Sequence, residues 1–160
     1  MKGKIGLAET QTSCGARLSE TLPGTWRLDS RIDVDASGER RPEPSLGEDP
    51  VALLIYDRSG HFAAQFMKRD RSVLAPDAAA SGPNNSRVIG GYDAYFGAYS
   101  IDDVAGTVTQ TLDAALSAEH VGATLTRAMT VQGDRLFIEI DTAHADGVPV
   151  RRTLSWTRVG

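Results

Sequence analysis

Leu22-Pro23-Gly24-Thr25-Trp26-Arg27-Leu28 opens the first clear strand of this chain, with a large aromatic two residues after a glycine. From Trp26 the side chains of Leu28, Ser30 and Ile32 share one face, and Thr25, Arg27, Asp29, Arg31 and Asp33 share the other. That period of two marks a strand. The chain ends on a matching strand, Val150-Arg151-Arg152-Thr153-Leu154-Ser155-Trp156-Thr157-Arg158-Val159. Pairing first strand to last closes a sheet on itself and removes both exposed edges. The expected product is a barrel built around a pocket.

Between these two strands the punctuation is regular. Residues 36–50 carry Gly38, Pro42, Pro44, Gly47 and Pro50 among charged residues, a composition that cannot continue a ladder and reads as a long loop at one barrel mouth. Val51 to Tyr56 and Phe62 to Lys68 form a hairpin across Asp57-Arg58-Ser59-Gly60. Residues 70–91 form a lid or crossover: Ala75 to Ala80 suit a short helical turn, but Pro76, Gly82, Pro83, Asn84 and Asn85 stop a longer one. A loop of about twenty residues in a single domain points to function at the mouth it covers. Asp93 to Ile101 pairs with Gly106 to Asp113, and Gly122 to Val131 pairs with Asp134 to Asp141. The fold class is all-β: an eight-stranded antiparallel up-and-down barrel, with an interior sized for its own side chains or one small ligand.

A chain of 160 residues with 41% apolar content supports one core. The division expected is a mobile tail over 1–20 and the barrel over 21–160. Net charge is −4, and the Lys and Arg residues form no basic run, so nucleic acid is not expected as a partner. The single cysteine, Cys14, has no second thiol to pair with and sits in a polar segment as a bystander. Residues 1–20 hold no apolar run of signal-peptide length, and no stretch approaches the ~20 apolar residues of a membrane span. A cytoplasmic address is expected, and a homodimer is left open.

In a barrel the informative residue is a polar side chain sharing its face with apolar ones. Arg127 shares a face with Ala123, Leu125, Met129 and Val131, while Thr124, Thr126 and Thr130 take the other, so Arg127 is expected to point inward. A buried guanidinium needs a partner. Two are open: an internal ion pair with Glu139 or an Asp, or an oxygen of a ligand. Tyr95 and Tyr99 share one face with Gly97 between them, a slot flanked by two phenols that suits a partly oxygenated hydrophobe. Gln65 stands in a strand apolar on both faces, where parity does not settle its direction. His61, His120 and His144 fall in or near turns at irregular spacing, so no metal is expected. No nucleophile elbow and no dinucleotide fingerprint occurs, and no cofactor is expected.

Taken together, Leu22-x-Gly24-Thr25-Trp26, Leu54-x-Tyr56 with Gly60-x-x-x-x-Gln65, Tyr95-Phe96-Gly97-x-Tyr99, Gly106-Thr107-Val108-Thr109, Val121-Gly122 to Arg127, Gly133-Asp134-x-Leu136 and Leu154-x-Trp156-x-Arg158 resemble the bacterial and fungal lipocalin-like domain family of the calycin superfamily over about residues 22–159. The resemblance implies a calycin-type barrel with a central cavity. Related barrels bind hydrophobic small molecules or act as cyclases and isomerases of natural-product pathways. It also implies a structural stack of Arg158 over Trp26 at the barrel bottom, worth about 1–2 kcal/mol. The sequence departs from the family pattern at Gln110-Thr111, where one or two histidines would follow Thr109, and in the Gly- and Asn-rich segment before Tyr92.

Two functions follow as expectations. In the first, the barrel holds a small hydrophobic, partly oxygenated metabolite, with Tyr56, Tyr95, Tyr99 and Trp156 as walls, Gln65 as a further contact and Arg127 fixing an oxygen. In the second, the same cavity is a cofactor-independent cyclase or isomerase of the pericyclase or epoxide-opening type, in which Arg127, Tyr99, Gln65 or Glu139 stabilises developing charge.

Overall fold

The alternation of apolar and polar residues resolves into eight strands: β1 (Gly24–Asp35), β2 (Val51–Tyr56), β3 (His61–Met67), β4 (Tyr92–Asp102), β5 (Thr107–Ala115), β6 (Thr124–Gln132), β7 (Arg135–Ala143) and β8 (Pro149–Arg158). The structure is a computed structural model and describes residues 15–74, 84–144 and 146–160. Cys14, most of the amino-terminal tail and the Ala75–Ala80 turn lie outside the described residues. Each strand pairs antiparallel with the next, and β8 returns to β1 to close the barrel. The only helices among the described residues are a single turn, α1 (Leu18–Thr21), and a 3-10 turn at Ala118–His120. No described helix is long and apolar enough to cross a membrane.

Parity decides which side chains fill the interior. Tyr56, Leu54 and Ala52 of β2 point in while Val51, Leu53 and Ile55 stay exposed, and Phe62, Ala64 and Phe66 of β3 point in. The inward choice for β3 puts Gln65 on the outer face, where it accepts a hydrogen bond from the Tyr92 hydroxyl at 2.9 Å. Glu139 likewise lies exposed on the outer face of β7, because Ile138 and Ile140 take the interior.

Parity fails at two bulges. In β1, Leu28 faces Trp156 and Ser30 faces Ser155, so Asp29 is an extra residue that reverses every side chain after it. Arg31 and Asp33, expected outside, are therefore buried at 9% and 4% exposure, and Ile32, expected inside with Trp26, is the half-buried one. The second bulge lies opposite β4, where Phe96 pairs with Ala114 and Gly97 with Leu112. A Cβ on Gly97 would stand 1.9 Å from the Thr111 carbonyl oxygen and 2.8 Å from the Asp113 nitrogen, so only glycine fits there.

The end of the barrel that α1 covers is sealed. Leu22 and Trp26 have no exposed surface, and the Trp26 indole donates to the Leu22 carbonyl at 3.0 Å. The Arg158 guanidinium lies 4.2 Å from the centre of the Trp26 ring and donates to the carbonyls of Pro23, at 2.9 Å, and Thr21. Residues 18–20, assigned by sequence to the tail, are part of this seal: Leu18 joins the core, and Ser19 bonds the Asp103 carboxylate through both its amide, at 2.8 Å, and its hydroxyl, at 2.6 Å.

Candidate functional site

The middle of the barrel is filled by its own side chains. The Tyr56 hydroxyl accepts from Gln110 Nε2 at 2.7 Å and contacts Met129 Sδ at 3.7 Å, and its ring meets Tyr99 edge-on at 4.9 Å between centres. Burial pushes the Tyr56 phenol well above its ordinary pKa, the Arg127 charge offsetting only part, so it stays a neutral donor and acceptor. Phe62, paired opposite Gly97, sets its ring 6.0 Å from that of Tyr95 and 6.1 Å from that of Tyr56. The slot expected between Tyr95 and Tyr99 is thus bordered by a third aromatic ring rather than left open. Tyr99 donates to the Asp57 carbonyl at 2.5 Å, near the sealed end. Trp156 is fully buried with its ring edge-on to Phe66 at 5.7 Å.

The mouth end has a different chemistry. Arg31, Arg127 and Arg152, together with Asp33 and Asp93, are all buried there. All of these but Asp33 border a cavity of about 30 Å³ whose remaining walls include Leu46, Phe66, Val88, Tyr95, Ile140 and Leu154. Arg31 also lines a rim cleft of about 190 Å³ beneath residues 40–48.

Each charge has an identifiable environment. Arg152 grips Asp33 with two bonds, Nε to Oδ1 at 2.7 Å and Nη2 to Oδ2 at 2.9 Å, and His144 Nε2 lies 2.8 Å from the same carboxylate. Burial pushes the Asp33 carboxyl up, but the Arg152 and His144 bonds outweigh it and hold it below the ordinary aspartate value. Arg31 reaches Glu43 of the first mouth loop at 2.8 Å. Burial and the neighbouring Arg152 charge lower the Arg31 guanidinium, whereas Arg31 and the bonds from Ser45 and Leu46 overcome burial at Glu43 and take it to about 2. Loop 36–50 is thereby folded down on the mouth, with Leu46 buried beneath it.

Arg127 differs from its neighbours. It is 8% exposed, and it forms no ion pair among the described residues. Nη1 donates to the Tyr95 hydroxyl at 3.0 Å and Nη2 to the Asn84 carbonyl at 2.9 Å, while Nε has no acceptor. The expected partner Glu139 is outside the barrel, and Asp93 influences Arg127 through space. Burial raises the Asp93 carboxyl above its ordinary range, and the Ser86 bond at 2.5 Å and the Arg127 charge offset only part of that.

Of the six wall residues expected from sequence, Tyr95 and Arg127 border the mouth cavity, Tyr56, Tyr99 and Trp156 lie in the packed layers below, and Gln65 is outside. Sequence reasoning missed Arg31, Asp33, Asp93 and Arg152. Two of these were legible: Arg152 shares its face with Val150, Leu154 and Trp156, and Asp93 shares its face with Tyr95, the same signal that selected Arg127. Arg31 and Asp33 carried no such signal, since the bulge at Asp29 alone turns them inward.

Among curated proteins none matches the chain. Residues 23–159 match the family described as the lipocalin-like domain, a span that begins beside Gly24 and runs through the closing strand β8. The closed eight-stranded antiparallel barrel is consistent with this match, and the chain belongs to the lipocalin-like domain family.

Proposed function

We propose that the barrel mouth binds a small, largely apolar molecule bearing an oxygen acceptor, which docks on Arg127 with its apolar body against Phe66, Tyr95 and Leu154. The observation that carries this reading is the state of Arg127: a guanidinium nine-tenths buried, outside any ion pair among the described residues, with one N–H unused. A buried charge left this way costs several kcal/mol, which a ligand oxygen would recover. The apolar half of the surrounding wall offers a surface for the body of such a molecule, and the polar half offers groups that fix its orientation.

The cavity of about 30 Å³ has room for about two waters. A ligand therefore enters by moving the loops that cover the mouth, where Leu46 and Val88 cap the cavity. The cyclase or isomerase reading has less behind it, because Gln65 and Glu139 face outward and the Tyr99 hydroxyl is committed to a backbone carbonyl near the sealed end.

Native mass spectrometry of the purified protein, followed by denaturation and identification of the released small molecule, tests the proposal. A retained oxygenated hydrophobe that Arg127→Leu no longer carries supports it. A barrel that retains nothing, and binds none of a panel of apolar acids, ketones and amides, overturns it.

A further inference from the structure

The ladder between β6 and β7 runs from the hairpin at Gln132 and Arg135 to Ala128 opposite Glu139 and stops there on the mouth side, although both strands continue, to Thr124 and Ala143. Above that point Asn84, Asn85 and Ser86 reach the mouth residues. Asn84 Oδ1 accepts from the Thr126 amide at 3.0 Å, taking a strand N–H of β6, and Asn84 holds φ at +55°, a conformation asparagine tolerates better than most residues. Each of the three then engages one buried charged side chain. The Asn84 carbonyl accepts from Arg127 at 2.9 Å, Asn85 Oδ1 accepts from Arg152 Nη1 at 3.2 Å, and the Ser86 hydroxyl donates to Asp93 at 2.5 Å.

We infer that Asn84-Asn85-Ser86 is a strap that stands in, within the same chain, for the head group of the ligand, and that this head group is a carboxylate. The inference rests on the binding role proposed above. Two neutral oxygens of the strap meet two guanidinium groups, Arg127 and Arg152. Arg152 already has Asp33 and Arg31 has Glu43, so of the three buried mouth arginines Arg127 is the one without an ion pair among the described residues. A carboxylate offers two oxygens in a plane that matches a guanidinium edge, and it supplies the charge the strap lacks. An apolar monocarboxylic acid thus replaces the strap at Arg127 and sets its body among Phe66, Tyr95, Ile140 and Leu154. While the strap is seated it competes with the ligand, and apparent affinity is reduced by the fraction of molecules in which the strap is in place.

Calorimetric titration with 3-phenylpropanoate and with its primary amide, on the wild-type chain and on Asn84→Ala and Asn85→Ala/Ser86→Ala, tests this. The acid is expected to bind at least tenfold more tightly than the amide, and both strap variants to bind the acid several-fold more tightly than the wild type. Hydrogen exchange gives a second readout: the Thr126 amide is expected to exchange faster when the acid is bound, because its acceptor on Asn84 leaves. Equal binding of acid and amide, each weakened by Arg127→Leu, overturns the carboxylate assignment and leaves the binding site standing. Tighter acid binding without any gain in the strap variants and with Thr126 protected overturns the strap. Binding of neither probe, with nothing retained on purification, overturns the site as well.

Discussion

Arg158, half-buried at the sealed end of this barrel, and Arg127, buried at its mouth, keep different company. At the sealed end Arg158 lies on the Trp26 ring and donates to the carbonyls of Thr21 and Pro23, backbone groups fixed by the turn that leads into β1. At the mouth Arg127 holds a phenol and the carbonyl of a strap residue and keeps one N–H unused. The carbonyls that Arg158 meets belong to the turn running directly into β1, whereas the carbonyl that Arg127 meets belongs to a loop segment laid across the mouth. On the strap inferred above, the same residue type closes one end and makes the other exchangeable.

That contrast is broken most severely at the sealed end. Trp26→Ala removes the largest fully buried side chain of the seal and is expected to cost about 3–5 kcal/mol in urea unfolding, with phenylpropanoate binding preserved in the fraction that folds. Loss of binding at unchanged stability would erase the distinction between the two ends. The mouth loop contributes next. Glu43 falls from the ordinary 4.5 to about 2 on folding, a stabilisation on the order of 3 kcal/mol. Because its folded value is depressed, this contribution is complete above about pH 4.5 and is lost as pH falls toward 2, and Asp33 shifts in the same direction. Glu43→Gln is expected to flatten the acid limb of a stability-versus-pH curve in that window; an unchanged limb would mean the loop is not held by this pair.

A matched pair of variants sharpens the comparison further. Arg158→Leu is expected to lose about 2 kcal/mol, since two backbone carbonyls lose their donor and Trp26 its cation. Arg127→Leu is expected to stay within about 1 kcal/mol of wild type or to gain, because an incompletely bonded buried charge gives way to an apolar side chain, and to weaken ligand binding at least tenfold. Thermal unfolding of both against the wild type decides it, and equal losses would make Arg127 structural. The smallest effect belongs to Asp93. Its carboxyl is raised in the folded state, so the ionised form costs stability at neutral pH and the cost disappears as pH falls through the raised value. Asp93→Asn is expected to be as stable as wild type or slightly more so near pH 7, and to remove that rise on acidification.

Much of this was legible along the chain. The strand pattern around Trp26, the returning pattern around Trp156 and the turn residues between give all eight strands to within a residue or two, and parity turns Arg127, Tyr95 and Tyr99 inward as read. Applied without exception, the same rule also selects Arg152, Asp93 and the buried Gln110. It could not choose for Gln65, since both faces of β3 are apolar and only packing against Tyr95 and Trp156 brings Phe66 inside.

The sequence by itself determined that this chain is a closed antiparallel barrel, because alternation and turn chemistry are local properties that survive whatever the partner strand does. Only the tertiary structure decided what the mouth contains. The extra residue at Asp29 is defined by a register against β8, and it moves Arg31 and Asp33 from solvent into the barrel. The strap at Asn84–Ser86 finds its acceptors and donors in β4, β6 and β8, 7 to 67 residues away in the chain. Register shifts and loop docking depend on groups remote in sequence, so no period within a strand announces them.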